Sequence, residues 1–325
     1  MAIFSNEYKP KIDRKSTNQY VGKFIHNLIN HLTYKFKLTM CVPPLFSNGQ
    51  HPLLVNDKAR WIDFDNSASN QVFQMLDAVD KWMYLYLRQT GVNLNHGVFA
   101  LTNQIARDAN VEKQQLIQIP RITLNVSIAR VNYSEDYLKQ IADEVSLCLS
   151  EVINFTQVNQ IHFMKDLTKY QSANALDLTK RYKTFTFSDL LVTQTQQQPL
   201  LMTEFGLITK WNEVQSGYQD LFISKKLSGV YFVYTPVLNQ AVEIFSLGMQ
   251  PTYEEMVNQT TDLESYYLKC LSDVKQNAEW SYIVHINLAN LLLWILNKHH
   301  YCEIFSGAWP QSVHESALKE KWDIL

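Results

Sequence analysis

Length, composition and charge limit what this chain can be. Its 325 residues are 46% hydrophobic and 12% aromatic, which suits a packed globular protein of one large or two small domains. The formal net charge of −2 gives no global attraction to nucleic acid or to an anionic membrane, so we expect neither as a partner.

The N-terminal region combines a polar stretch with an apolar helical pattern. Residues 1–18 are polar and charged, and we expect them to form a loose arm ahead of a single domain over residues 19–325. Over residues 20–36 the apolar side chains recur at helical spacing, as at Phe24 and Leu28. This pattern predicts an amphipathic helix.

The middle of the chain mixes strand and helix patterns. Residues 121–130 alternate apolar and polar side chains, with Ile122 and Leu124 on one face, which predicts a half-buried strand. Ser134 precedes two acidic residues, which is typical of a helix start, and we expect that helix to reach residue 155. The other predicted elements are strands at residues 40–45, 58–64 and 160–164, a helix at 173–181, a surface turn at 193–199, and a strand, a helix or both at 71–86.

The C-terminal third contains the most apolar segments. Residues 229–234 and 242–247 are predicted strands, and residues 252–271 are a predicted helix capped by Thr252. Residues 282–296 are apolar nearly all round, which predicts a buried helix. This run is too short to span a bilayer and contains polar residues, and no N-terminal signal region is present, so we expect a soluble cytoplasmic protein.

The arrangement of these elements indicates the fold class. The predicted strands are separated by insertions of varied length and not by regular helices, and no Pro-, Gly- or Ser-rich linker divides the chain. This pattern favours an α+β fold with a largely antiparallel sheet flanked by helices.

The cysteine and histidine patterns do not predict a metal site. The four cysteines, Cys41, Cys148, Cys270 and Cys302, form no CxxC pair, and we interpret them as mostly buried, reduced thiols. His299 and His300 lie close to Cys302, but adjacent residues on a helix point apart. We interpret the two histidines as a helix-end or surface pair.

Five segments, in order along the chain, resemble one enzyme family. The segment GVYFVYTPVLNQAVEIFSLGM at residues 229–249 is similar to the family's VWNPVLEDAFELSSMGIR. The other four are KW at 81–82, IARD at 105–108, QIHFMKDLTKYQ at 160–171 and GAWPQSVHES at 307–316. On these segments the chain resembles the ammonia-dependent, AMP-forming aspartate–ammonia ligases, also called the asparagine synthetase A family.

The resemblance implies a fold, a reaction and an assembly. The fold is that of the catalytic core of class II aminoacyl-tRNA synthetases, and the assembly is a homodimer formed through residues 20–36 and 40–45. In the family's reaction ATP and aspartate form β-aspartyl-AMP, from which ammonia then displaces AMP. The resemblance therefore implies ATP and Mg²⁺ as cofactors of an active member, and positioned cationic and acidic groups for catalysis.

Four positions retain the residues that the resemblance assigns to a nucleotide site. Arg107 matches an arginine that suits an anionic substrate, and Glu243 matches a glutamate that contacts metal and ATP. Ser246 and Gly248 match a serine and a glycine on the same segment. The alternative interpretation is structural: a surface arginine, a structural carboxylate and a tight-packing glycine.

Other positions depart from the family pattern. The family's serine and lysine near aspartate correspond to Ala78 and Met83, and the following arginine corresponds to Tyr84. A thioether cannot replace a cationic amine at a carboxylate. Asn125 lies in a segment where the family has acidic and amide contacts, and Gln250 replaces an arginine.

The largest departure is at residues 283–291. The family's GGGIGQSRL corresponds here to IVHINLANL, so that His285 replaces a glycine and Asn290 replaces the arginine that faces the nucleotide phosphates. Side chains thus take the place of close backbone approach to ATP.

Three functions follow from these observations. The first is an active aspartate–ammonia ligase, and the third is an enzyme that activates another carboxylate. The second, which we favour, is a catalytically silent relative with a binding or regulatory role. Its partner would be a subunit of an active ligase or synthetase, or a small molecule such as an amino acid or a nucleotide. Such a relative keeps the core pattern and loses charges at functional positions.

Overall fold

A computed structural model of the chain describes residues 8–47, 62–68, 71–75, 79–105, 116–159, 161–163, 165–207, 223–252, 254–255, 280–307 and 309–325. Its helices are α1 (Arg14–Lys35), α2 (Asp80–Gln89), α3 (Glu135–Phe155), α4 (Ala175–Arg181), α5 (Phe187–Thr195), α6 (Leu288–Leu296) and α7 (Gln311–Glu320). Its strands are β1 (Leu38–Met40), β2 (Phe46–Ser47), β3 (Asp63–Asn66), β4 (Gln71–Met75), β5 (Gly97–Ile105), β6 (Gln118–Ile128), β7 (Gln157–Val158), β8 (Ile161–His162), β9 (Gln171–Asn174), β10 (Leu200–Thr203), β11 (Ser228–Thr235), β12 (Gln240–Met249) and β13 (Trp280–Asn287).

The eight-stranded sheet is the centre of the fold. Its strand order is β1-β5-β6-β13-β12-β11-β10-β9, and only the outermost pairs, β1 with β5 and β9 with β10, are parallel. The prediction of a largely antiparallel sheet flanked by helices is therefore confirmed. Within the described residues, two smaller sheets, β2-β4-β3 and β7-β8, complete the strand pairing.

The first helix begins earlier than its apolar pattern indicates. Asp13 caps α1 by accepting a hydrogen bond from the backbone N–H of Ser16 at 2.7 Å, so the helix starts six residues before residue 20. Its buried side chains Phe24, Leu28 and Leu32 pack into the main core, as the spacing predicts. A polar first turn joins a helix when a cap satisfies its free N–H groups.

The two faces of the central strands have different partners. On one face, here called the core face, Leu124 of β6, Leu247 of β12 and Val284 of β13 belong to one cluster with α1, α3 and α6. A bulge at Ile244 preserves this arrangement, because Tyr231 pairs with Phe245 while Phe232 pairs with Glu243.

The strand predicted over 121–130 exists, but it is not half-buried. The alternate residues Thr123, Asn125 and Ser127 are 0%, 0% and 3% exposed, so β6 is buried on both faces over residues 122–128. The second face is covered because Met83 and Leu87 of α2 pack there against β5. A cover supplied from elsewhere in the chain leaves no trace in the alternation of the strand itself.

The prediction of a single buried helix over residues 282–296 is wrong. The run forms strand β13 and then helix α6, with Asn287 as the N-cap that accepts a hydrogen bond from the N–H of Asn290 at 3.0 Å. Strand β13 lies between β6 and β12 and is buried on both faces, so it lacks the alternation that distinguishes a strand from a buried helix.

Several shorter predictions were shifted or confirmed. Residues 71–86 contain both a strand and a helix, and Ser134 caps α3 as predicted. Residues 41–45 lie between β1 and β2 and are not a strand, and α5 extends into the predicted turn at 193–199. The described chain contains no helix long and apolar enough to cross a membrane.

A buried polar cluster joins the two ends of the described chain. The Glu303 carboxylate accepts hydrogen bonds from the backbone N–H groups of His299 and His300, at 2.9 and 3.0 Å, and from the Tyr8 hydroxyl at 2.8 Å. The Lys298 ammonium lies 3.7 Å from the same carboxylate and donates to the carbonyl of Ile12 at 3.1 Å.

Burial dominates the electrostatics of this cluster. It raises the pKa of Glu303 and lowers the pKa of Lys298, because each charged form loses hydration. His299 and His300 are 4% and 5% exposed, so the sequence-based option of a surface pair is wrong. The alternative of a helix end is correct, since both follow α6.

Candidate functional site

A row of polar residues lies on the sheet surface opposite the core face. We call this surface the polar face and define it by Thr123 and Asn125 of β6, His285 of β13, Ser246 of β12 and Gln250 just after β12. The strand register places Ser246 opposite His285 and His285 opposite Thr123. The intervening residues of these strands point into the core cluster. The polar face thus brings together four of the positions that the resemblance singled out, Asn125, His285, Ser246 and Gln250.

Glu243 and Asn290 meet at one edge of the polar face. The Asn290 side chain donates from Nδ2 to the backbone carbonyl of Glu243 at 2.8 Å and accepts from the Tyr301 hydroxyl at 2.6 Å. Both ends of this amide therefore tie α6 to β12 and to the following turn. Asn290 stands where the resemblance implies a phosphate-binding arginine, and it is used in internal contacts.

Gly248 is required by a neighbouring loop. A Cβ atom built at this glycine lies 2.4 Å from Cγ2 of Ile223 and 3.4 Å from the carbonyl oxygen of Leu227. The loop is held there by backbone hydrogen bonds of 2.8 Å from Ser224 to Met249 and from Met249 to Leu227. This geometry supports the tight-packing interpretation of Gly248, because protein atoms occupy the space beside it.

His285 connects the sheet to the covering helix. Its Nδ1 lies 3.2 Å from the Thr123 hydroxyl, and its Nε2 lies 3.2 Å from a carboxylate oxygen of Asp80 at the start of α2. The His285–Asp80 contact is close enough for an ion pair when the ring is protonated, although it lacks hydrogen-bond alignment. His285 and Ile283, which lies two residues before it on the same face of β13, are 4% and 1% exposed. Both occupy positions where the resemblance implies glycine.

Two amide side chains on the polar face have no partner in the described structure. Both side-chain atoms of Asn125 and both of Gln250 are buried without a hydrogen-bond partner there. Asn125 is 0% exposed and Gln250 is 3% exposed. Buried polar groups are almost always hydrogen-bonded, so an ordered water or a ligand is needed to satisfy these two amides.

Helix α2 presents apolar and aromatic groups where the resemblance implies charge. Met83 is fully buried and packs with Cys41, Val98 and Ala100. The guanidinium of Arg88 lies 4.2 Å from the ring centroid of Tyr84. Met83 is thus part of a small apolar core.

Two predicted site residues and most of one predicted helix lie outside the described residues. Ala78 and Arg107 lie outside the described residues. The cap predicted at Thr252 is present, because its hydroxyl accepts from the N–H of Glu255 at 3.1 Å, but most of the predicted helix over 252–271 is outside the described range.

The described residues do not fit ATP and Mg²⁺. At four described positions where the resemblance implies lysine or arginine, the chain has Met83, Tyr84, Gln250 and Asn290. Glu243 lies on the polar face, but the described part of the chain contains no group of three or more His, Cys, Asp or Glu residues arranged to hold a metal ion. A nucleotide phosphate therefore finds no cation at these positions.

The sequence comparison missed Asp80. This acid is 7% exposed, reaches across to the central strand β13 and begins α2, two residues after Ala78. Its only sequence signal is an acidic residue at a helix start, which is common at exposed helix ends and does not predict burial. Its partner His285 is more than 200 residues away.

The family comparison agrees with the geometry of the fold. The family model described as aspartate–ammonia ligase matches residues 15–321. The aspartate–ammonia ligase of Ureaplasma urealyticum is 21% identical over an alignment of 337 positions that covers 98% of each chain. That of Clostridium tetani is 21% identical, with 99% of this chain and 97% of the relative covered.

Solved structures show the same fold at lower identity. Asparaginyl-tRNA synthetase of Entamoeba histolytica, in complex with asparaginyl-adenylate, matches with a TM-score of 0.67 at 12% identity over 91% of this chain and 69% of that chain. The enzyme of Pyrococcus horikoshii, complexed with the same adenylate, gives 0.63 and 12% over 91% and 70%. The predicted class II aminoacyl-tRNA synthetase fold is confirmed. Because the family model spans nearly its full length, this chain belongs to the aspartate–ammonia ligase family.

Proposed function

We propose that this chain is a binding or regulatory member of its family that does not make asparagine from ATP, aspartate and ammonia. The observation that carries the proposal is the use of Asn290. At the position of the phosphate-binding arginine, its amide is committed at both ends to Glu243 and Tyr301. A side chain held in this way supplies neither charge nor reach toward a phosphate.

The lost charges set the size of the expected effect. A hydrogen bond to a charged group contributes about 1.5–3 kcal/mol, so three replacements at Met83, Gln250 and Asn290 remove roughly 5–9 kcal/mol if they act independently. A factor of ten in rate corresponds to about 1.4 kcal/mol of activation free energy. Losses of this size lower the rate by more than about 1,000-fold.

Two side chains also reduce the space that a nucleotide would need beside the backbone. Ile283 and His285 occupy positions where family glycines allow the backbone to approach a nucleotide, and Ile223 lies against Gly248 on the neighbouring strand. When bound to active relatives, ATP supplies the adenylate that activates a carboxylate. Here Glu243 is the retained acidic position that could contact its metal ion.

The test is an assay for AMP and asparagine. The purified chain is incubated with ATP, Mg²⁺, aspartate and ammonium, with the Clostridium tetani aspartate–ammonia ligase as the positive control. We expect no AMP above the enzyme-free background.

A Glu243→Gln variant separates this chain's activity from that of a contaminant. AMP formed at a rate near that of the positive control, and abolished in Glu243→Gln, contradicts the proposal and establishes an active ligase. AMP that persists unchanged in Glu243→Gln comes from a contaminating enzyme.

We further propose that the chain is a homodimer. Strand β1 lies at the edge of the large sheet, and its last residue and the residues that follow it expose apolar side chains. Met40, Val42 and Leu45 are 55%, 81% and 73% exposed, and such a patch beside a sheet edge is typical of a protein interface.

Light scattering tests the assembly. At micromolar concentration we expect twice the mass of the 37.9 kDa chain. A Val42→Glu variant should shift the mass toward the monomer, whereas Val131→Glu, at an 86% exposed residue outside this patch, should not. A wild-type monomer under these conditions contradicts the proposal.

A further inference from the structure

We propose that Asn125 and Gln250 bind a small uncharged ligand through a carboxamide group. The inference deepens the proposed function, on which it rests, by naming the ligand class of the polar face. It starts from the four orphaned amide atoms of these two residues.

The strand register places the two amides on one surface. Asn125 pairs with Ile283, and Ile283 pairs with Gly248, two residues before Gln250. The N–H of Gln250 donates to the carbonyl of Ser281 at 2.9 Å, which continues the same ladder. Asn125 and Gln250 are two strands apart across the sheet and two residues apart along the strand direction, so their Cα atoms lie roughly 12 Å apart.

Burial makes the absence of partners informative. An exposed amide is satisfied by bulk water, but Asn125 and Gln250 are 0% and 3% exposed. The cross-strand neighbours of Asn125 are Ile283 and Val98, which offer no side-chain hydrogen bonds. An amide at this position opposes stability unless a bound molecule satisfies it.

The chemistry of the pair selects the ligand. A primary amide offers a donor and an acceptor side by side, which matches the donor and acceptor of a carboxamide. A carboxylate offers acceptors only and therefore leaves the amide oxygens of Asn125 and Gln250 unsatisfied. The site thus favours the amide form of a compound over its acid.

The charged groups on this surface lie away from the pair or are engaged. Arg121 is four residues from Asn125 on β6, roughly 13 Å along the strand. His285 and Asp80 lie 3.2 Å from each other. Ser127 and Ser281 are uncharged and paired across β6 and β13, next to both amides. An uncharged ligand is the consistent choice at this end of the polar face.

The first experiment compares matched amide and acid probes by thermal unfolding of the full chain. The pairs are propionamide with propionate, benzamide with benzoate, and nicotinamide with nicotinate, each at about 10 mM. We expect at least one amide to raise the melting temperature by about 2 °C or more, and its acid partner to have no effect. Asn125→Leu and Gln250→Leu should each abolish the shift.

The second experiment uses stability without ligand. Asn125→Leu replaces an orphaned amide by an apolar group between apolar neighbours, so we expect its melting temperature to rise by about 2–4 °C. Asn290→Leu is the matched control, and its melting temperature should fall, because its amide makes two hydrogen bonds.

The outcomes separate this inference from the proposed function. No shift with any amide, an equal shift with the acids, or a lower melting temperature in Asn125→Leu overturns the carboxamide site. These results do not depend on AMP formation, which alone decides whether the chain is an active ligase. Shifts restricted to amides and lost in both leucine variants support the site even if AMP is formed.

Discussion

Replacing Glu303 with alanine should lower the free energy of unfolding by about 3–5 kcal/mol. The substitution leaves the 1% exposed Lys298 without its nearby carboxylate. It also removes the acceptor for the N–H groups of His299 and His300 and for the Tyr8 hydroxyl. The buried Lys298 ammonium then keeps its hydrogen bond to the Ile12 carbonyl but no longer has a carboxylate beside it, and two buried N–H groups and the half-buried Tyr8 hydroxyl lose their acceptor.

Urea unfolding curves measure this loss, provided that the dependence of the unfolding free energy on urea concentration is the same in wild type and variant. Glu303→Gln keeps an acceptor oxygen but not the charge, so its stability should lie between those of wild type and Glu303→Ala. The matched control is Glu315→Ala on the exposed side of α7, where we expect a change within about 0.5 kcal/mol. Equal effects of Glu303→Ala and Glu315→Ala contradict the role of the cluster.

Acidification from pH 7 to pH 5 should cost the protein about 2 kcal/mol of stability through His300 alone. Burial, with a smaller contribution from His299, lowers the pKa of His300 from 6.5 to about 4. Above pH 6.5 the ring is neutral in both the folded and the unfolded chain. Between pH 6.5 and 4 the unfolded chain binds the proton more strongly, so stability falls as the pH falls.

The variant His300→Asn isolates this contribution. His300 accepts a hydrogen bond at Nδ1 from the N–H of Cys302 at 3.1 Å, and an asparagine oxygen can keep that cap. His299, whose pKa burial also lowers, adds to the loss in both proteins, whereas Glu303, whose pKa burial raises, opposes it. The difference between wild type and variant therefore reports His300.

Unfolding curves at pH 7 and pH 5 provide the measurement. We expect wild type to lose about 2 kcal/mol more than His300→Asn over this interval. The same loss in both proteins means that His300 does not carry the pH dependence.

The sequence was most informative where a pattern is local or shared with relatives. Ser134 predicts the start of α3 because an N-cap acts on N–H groups two or three residues away. The segment at 229–249 identifies the family because its two strands, β11 and β12, lie in the centre of the common sheet. A helix cap and a family motif can both be recognised from a short stretch of sequence.

Burial from a distant element was where sequence interpretation failed. The alternation over 121–130 predicts one wet face, but α2 covers it, and the apolar run at 282–296 predicts one helix where β13 precedes α6. In both cases neighbouring strands or helices determine which surfaces are buried from solvent. A periodic pattern reports the side chains of one element and not the elements packed against it.

From sequence alone, the family and the antiparallel class II fold could be determined, because residue identity and order carry them. The resemblance further implies cationic residues at the positions that hold Met83, Gln250 and Asn290. Only the tertiary structure decided what those positions do instead. Asn290 joins α6 to β12, Gly248 makes room for Ile223, and Gln250 remains an unsatisfied buried amide like Asn125. The physical reason is that a hydrogen bond or a steric contact belongs to a pair of atoms, and here the partners come from separate strands, loops and helices.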